Sequence, residues 1–327
     1  MATYIGIKGV QIPTVSSDPS NLTAGEVWYN TTTNTLKAYG AQGTGAWSAG
    51  GAVPVVLNLP GSAGTQTAAL GFGGYSKPGV GFSVDTFSYN GSSWTELADM
   101  DEARYALGGL GTQTAALGFG GHFGGIPTNL DIGTEEWNGA SWSDVADMDE
   151  KKENCVGAGI TTAGLCMGGD TGPTANQLAT VDIFNGTSWT ETTELNTARR
   201  AFGGAGTTTA ALAFGGMPSP AGNIFVESFD GTTWTETTEM NTGRGQLGGT
   251  GTQTAALAFA GYPASALTET WNGSTWTELA DLSTGRNGVG GAGAGPTSAL
   301  AFGGEPPMTG ATEEWAVPDA TKTVTSS

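Results

Sequence analysis

Histidine is almost missing from this chain: His122 is the only one in 327 residues. A copper centre needs several imidazoles within reach, so none can be assembled. A Ser-His-Asp triad would have to use His122, which lies in a Gly-rich stretch with no nucleophile motif beside it. Basic residues are scarce as well, with 11 Lys and Arg against 30 Asp and Glu and a formal net charge of −19. Such a surface repels phosphate backbones and anionic lipid headgroups, which argues against nucleic acid and membrane partners. No apolar run approaches membrane-spanning length. The opening MATYIGIKGVQIP lacks a basic end followed by an apolar run, so no secretory leader is expected there. Sustained helical periodicity is also absent, which leaves short strands and turns. Cysteine is limited to Cys155 and Cys166. A hairpin turning at Ile160 and Thr161 would set them opposite each other, as two small buried apolar side chains.

Glycine is plentiful, at 56 residues, and it recurs in register with tryptophan. The stretch TQTAALGFGG occupies 65–74 and again 112–121, and TQTAALAFAG occupies 252–261. Tryptophans 47, 94, 142, 189, 234 and 276 follow one another at steps of 47, 48, 47, 45 and 42. Each interval divides into four short strands; the second contains 104–109, 114–121, 134–137 and 141–145. Asn90-Gly91, Asn138-Gly139, Asn185-Gly186, Asp230-Gly231 and Asn272-Gly273 separate third from fourth strands, where a tight hairpin turn with positive φ at both central residues is expected. Repeated four-stranded units of this length stack radially into an all-β propeller. The strand over 45–49 stands in register as an outer strand with no complete blade before it. Docked on the last unit it closes six blades; if 321–326 fills that place instead, residues 26–48 begin a seventh.

The apolar run ending in Gly-Gly, an aromatic such as Tyr89 and then Trp94 resembles the kelch repeat over about residues 46–327. The segment GEVWYNTTTNTLKAYG (25–40) is similar to a short β-meander near the starts of bacteriophage virion proteins, including fibre and decoration proteins. Together with the ending TKTVTSS, the chain resembles kelch-like structural proteins of marine bacteriophages. The resemblance implies a non-enzymatic virion protein, assembled in the host cytoplasm as a capsid decoration or tail-associated component, without cofactor or metal. The expected organisation is an extended arm over 1–24 that docks on other virion proteins, a β-hairpin module over 25–45 and the propeller over 46–327. The alternative is a carbohydrate-binding propeller for host attachment.

The distance from the second Gly of each double glycine to the next aromatic varies from 10 to 16 residues, so insertions concentrate between second and third strands. Variable loops on a rigid scaffold are where binding resides. Tyr75, His122, Phe123, Asn129, Asn176 and Tyr262 are the candidate binding residues there, suited to sugar stacking and hydrogen bonding. A second candidate is a ring of cations. Arg104, Lys152, Arg199, Arg244 and Arg286 each stand ten residues after a tryptophan, and Leu57 holds that place in the first unit. At the entrance to the innermost strand they would encircle one mouth of the central channel and bind an anion or an acidic segment. The competing expectation is that they neutralise Glu96, Asp144, Glu191, Glu236 and Glu278, two residues after the same tryptophans.

Overall fold

The computed structural model describes residues 12–41, 44–76, 81–123, 130–172, 176–217 and 222–324, and among them there is no helix. Residues 46–315 form one unit, a six-bladed β-propeller. Blade 1 runs through Gly61–Thr65, Ala68–Phe72, Thr86–Tyr89 and Trp94–Glu96, each strand antiparallel to the one before. Blades 2 to 5 repeat that order. Blade 6 takes Gly290–Gly295, Ser298–Phe302 and Thr312–Ala316 from the end of the repeats and Ala46–Ala49 from before the first, so the ring closes as the six-blade reading expects. The innermost strands neighbour one another around the full circle, the last against the first.

The residues that recur pack each blade and hold it to the next. The first Gly of an inner strand lies opposite a second-strand Phe, as Gly108 faces Phe119, and a side chain on that Gly would enter the ring. Blade 3 makes the compensating exchange, with Val156 facing Met167. In the TQT turn, Gln113 Nε2 donates to Ala69 O (3.1 Å) and Tyr89 O (2.6 Å) of the preceding blade. Gln66 and Gln253 make the same reach, to Trp315 O and Phe229 O. That crosslink accounts for the return of glutamine in these turns. The Asn-Gly turns differ from expectation. Four residues, such as 90–93, separate the third and fourth strands, and only the glycine has positive φ. The Asn or Asp side chain instead accepts amide hydrogen bonds two and three residues on, as Asn90 Oδ1 does from Ser92 and Ser93.

The fourth-strand tryptophans reach across blade interfaces. Nε1 of Trp142, Trp189, Trp47 and Trp94 donates to Oγ1 of Thr86, Thr134, Thr268 and Thr312, each at 2.9–3.0 Å and each on the third strand of the preceding blade. Blades 3 and 4 carry Val181 and Val226 at the threonine position. Trp234 turns to Thr193 O (3.1 Å), whereas the buried Nε1 of Trp276 has no partner. Val226 packs in one cluster with Trp276. Val226→Thr keeps the branched shape and supplies the missing acceptor, so it should raise stability by about 1 kcal/mol. Val181→Thr should not, because Trp234 is already satisfied. Urea unfolding midpoints of the two variants check this, and equal effects would refute it.

The second unit comprises residues 1–45 and 316–327. Its sheet orders Thr14–Val15, Val27–Asn30, Thr35–Ala41 and Asp319–Thr323, with the first pair parallel. Asp18 anchors it, accepting from Lys37 Nζ (2.5 Å), Asn30 Nδ2 (2.7 Å) and Trp28 Nε1 (3.0 Å). These bonds, Lys37 first, hold its carboxyl down at about 2. Two expected boundaries therefore move. The arm over 1–24 does not stay separate from the hairpin, since 14–15 pair within its sheet, and 319–323 complete that sheet instead of belonging to the propeller. The cysteine register shifts as well: Cys166 faces Gly157, not Cys155, because the hairpin turns at Thr161 and Thr162. Both thiols are free and buried.

Candidate functional site

The five cations do not ring the channel. Arg104, Lys152, Arg199, Arg244 and Arg286 are at most 2% exposed, and none lines the cavities along the axis. Each is ion-paired to a third-strand carboxylate of its own blade. Arg104 pairs with Glu135 and with Asp131 (2.8 Å), Lys152 with Asp182 (2.7 Å) and Arg199 with Glu227. Arg244 pairs with Glu269 (2.5 Å) and Arg286 with Glu313 (2.7 Å). The expected partners, Glu96, Asp144, Glu191, Glu236 and Glu278, lie instead on the exposed part of the fourth strands. Burial pulls Arg199, Arg244 and Arg286 below the usual guanidinium range, and the facing carboxylates oppose that shift.

Three of the cations hold the feet of the variable loops. Arg286 Nη1 donates to Gly303 O (2.8 Å) and Ala311 O (2.9 Å), the two ends of its blade's second-to-third connection. Arg104 does the same to Gly120 O and Gly133 O, and Arg199 to Gly215 O and Phe225 O. The second carboxylate oxygen of Glu135, Glu227, Glu269 and Glu313 takes a backbone N–H from the incoming linker, at Asp101, Asn196, Asn241 and Ser283. A loop pinned at both feet can change length without disturbing the blade.

Just after each cation position, one residue forms an antiparallel bridge to the residue that follows the double glycine. The pairs are Asn58 with Tyr75, Tyr105 with His122, Glu153 with Asp170, Arg200 with Met217, Gly245 with Tyr262 and Asn287 with Glu305. The next residue takes a left-handed conformation in every blade, with φ of 50–64° at Leu59, Ala106, Asn154, Ala201, Gln246 and Gly288. Their peptides form a closed collar. Leu59 N donates to Gly288 O, Gly288 N to Gln246 O, Gln246 N to Ala201 O, Ala201 N to Asn154 O, Asn154 N to Ala106 O and Ala106 N to Leu59 O, all at 2.6–3.0 Å. This break in the chain also separates the cations from the inner strands. Beneath the collar, Pro60, Leu107, Cys155, Phe202, Leu247 and Val289 line both a cavity of about 90 Å³ on its side and one of about 230 Å³ among the inner strands.

The collar rim is chemically varied. Phe82 stacks on Tyr105 (4.8 Å between centroids), Tyr75 lies 6.0 Å from Tyr105, and His122 lies 5.3 Å from it. In blade 3, the backbones of Glu153 and Asp170 exchange hydrogen bonds, and the Asp170 carboxylate accepts from Arg200 Nη1 (3.0 Å). Burial, with the Asp170 charge next, raises the Glu153 carboxyl to about 7. Tyr105 is also raised, by burial first and then by Glu153 and Asp170.

No protein-family model matches the chain, and no curated protein matches it significantly. Among the candidates read from sequence, the structure brings Tyr75, His122 and Tyr262 to equivalent places on the collar rim. Phe123 pairs with Arg104 in a two-stranded ladder one step outward. Asn176 is exposed within its own loop, and Asn129 lies outside the described residues. The rim residues that sequence reasoning missed include Asn58, Tyr105, Glu153 and Arg200. Their signal was available: they follow a position that is cationic in five units, yet differ from unit to unit. Among the described residues no group of three or more His, Cys, Asp or Glu could hold a metal.

Proposed function

We propose that this is a non-enzymatic structural protein of a bacteriophage particle, anchored to other virion proteins by its terminal sheet and displaying the propeller. The observation that carries the reading is the division of the chain. Residues 1–45 and 316–327 fold together into a small unit, and the propeller closes on 46–315 without them. A module that gathers segments from both sides of the propeller, and whose hairpin is similar to a β-meander of phage virion proteins, suits an attachment role.

The test is incorporation. The full chain should enter particles, and a chain of residues 46–315 should fold, with the same strand content by circular dichroism, and stay out. Particles that incorporate 46–315 as well as the full chain would refute the anchoring role. A second reading, a propeller that contacts host-surface carbohydrate, is favoured by the aromatic and amide groups on the collar rim.

A further inference from the structure

Both cysteines of the chain stand in blade 3, one on each strand of its inner hairpin. At the place of Cys155, just before the inner strand, the other blades carry Pro60, Leu107, Phe202, Leu247 and Val289. At the place of Cys166, on the second strand, they carry Gly71, Gly118, Ala213, Ala258 and Ala301. Cys155 is smaller than the Leu or Phe of blades 2, 4 and 5, and Cys166 is larger than Gly or Ala. Packing accounts for that exchange of volume, since Leu247 and Ala258 fill the same places in blade 5. It does not account for a thiol at both. The two side chains belong to one cluster between blades 2 and 3, and each shifts the proton affinity of the other.

Their surroundings differ. Cys155 is 6% exposed and lines both axial cavities, of about 90 and 230 Å³, whereas Cys166 is fully buried and lines neither. A reagent in the channel therefore meets Cys155 first. The smaller cavity has room for a few molecules the size of water, each of about 30 Å³. A folded redox protein cannot follow the channel to this sulfur, and a small hydroperoxide can. The Lys152 ammonium is close enough to act on both thiols. Cys155 is lowered, by the Cys166 thiol first and, against burial, by the Lys152 charge. Cys166 is raised well above the usual thiol range, by burial first. The thiolate is the nucleophile, so the sulfur that the channel reaches is also the one that ionises more readily.

We propose that Cys155 and Cys166 are a pair oxidised by hydroperoxide, in which Cys155 reacts first and Cys166 closes a disulfide within the inner hairpin of blade 3. The Cys155 sulfur attacks one peroxide oxygen. An S–O bond forms as the O–O bond breaks, and the departing hydroxide takes a proton and leaves as water. Cys166 then attacks that sulfur, the S–S bond forms, the S–O bond breaks and a second water leaves. Two thiols are oxidised and one peroxide is reduced. The new bond ties the residue beside Asn154, a member of the collar, to the second strand. The inference does not depend on particle anchoring.

The full chain is treated with hydrogen peroxide, unfolded in iodoacetamide and mapped by mass spectrometry. Both cysteines should be alkylated before peroxide, neither after it, and both again once dithiothreitol is added. Cys166→Ala, which installs the residue of blades 4 to 6, should hold a sulfenic acid at Cys155 that dimedone captures. Cys155→Leu, the residue of blades 2 and 5, should leave Cys166 alkylatable after the same treatment. The parent chain alone decides whether the pair closes, and the variants decide which thiol reacts first. Cysteines that stay alkylatable in peroxide, a loss that dithiothreitol does not reverse, or a disulfide between two chains overturns the proposal. So does a Cys166 oxidised as fast in Cys155→Leu as in the parent.

Discussion

Arg199→Gln should destabilise the propeller by about 3–5 kcal/mol, one of the largest losses available from a single polar substitution in this chain. The guanidinium is fully buried, and removing it leaves the fully buried Glu227 carboxylate without a counter-charge. It also frees the carbonyls of Gly215 and Phe225 at the feet of the blade 4 loop. The chain contains its own control. Blade 1 has Leu57 in the cation position and Phe87 in the carboxylate position, packed in one apolar cluster. Pro54 stands where Asn196 stands in blade 4, so the backbone N–H that Glu227 would accept does not exist there. The network has thus been exchanged as a unit for an apolar one. Arg199→Leu combined with Glu227→Phe should recover most of the loss, and adding Asn196→Pro should recover more by removing the orphaned amide. Denaturant unfolding of the single, double and triple variants decides it. A double variant no more stable than Arg199→Gln would show that the pair cannot be replaced by packing.

Trp47→Ala should cost about 3 kcal/mol and should accelerate unfolding. Trp47 lies on Ala46–Ala49, the strand of blade 6 that is separated in sequence from the rest of its blade. Its indole donates to Thr268 Oγ1 (2.9 Å), meets Phe259 edge-on at 5.1 Å and lies 5.6 Å from Trp315. The other fourth-strand tryptophans are tethered to their sheets by a four-residue turn. Losing Trp47 therefore weakens the one seam that only non-covalent contacts close. Chemical denaturation gives the equilibrium loss, and stopped-flow unfolding gives the rate. An unfolding rate equal to the parent's would show that the ring does not open there first.

The blades were legible because their glue is written in large or unusual residues. Tryptophan, double glycine and TQT recur at a countable period, and the closing strand announces itself by a tryptophan in register. The ion pairs were half legible. Five cations at one position stand out in an acidic chain, but their partners were sought on the fourth strand, two residues past each tryptophan. The decisive pattern lay on the third strand, where Phe87 replaces a carboxylate in the one unit that lacks a cation. The terminal sheet was the least legible, since Thr14–Val15 is too short to show a period and Asp319–Thr323 joins a strand almost 300 residues away. The collar could not be read at all. It is made of peptide groups, and the side chains at its six positions range from Gly to Gln.

That collar is a circle of dipoles, all pointing the same way round. A helix or a sheet edge leaves donors unused at one border and acceptors at another; a closed circle has no border. Every amide on it is both giver and receiver. Breaking any one link, wherever it lies, strands one N–H and one C=O. Blade 6, whose third and fourth strands come from opposite ends of the repeats, is linked to blade 1 by the same bond as the other five, through Leu59 and Gly288. At the level of the backbone, the mouth of the propeller is therefore indifferent to where the polypeptide starts. A permuted chain, opened between the third and fourth strands of another blade and joined between those of blade 6, would find the same six links to make.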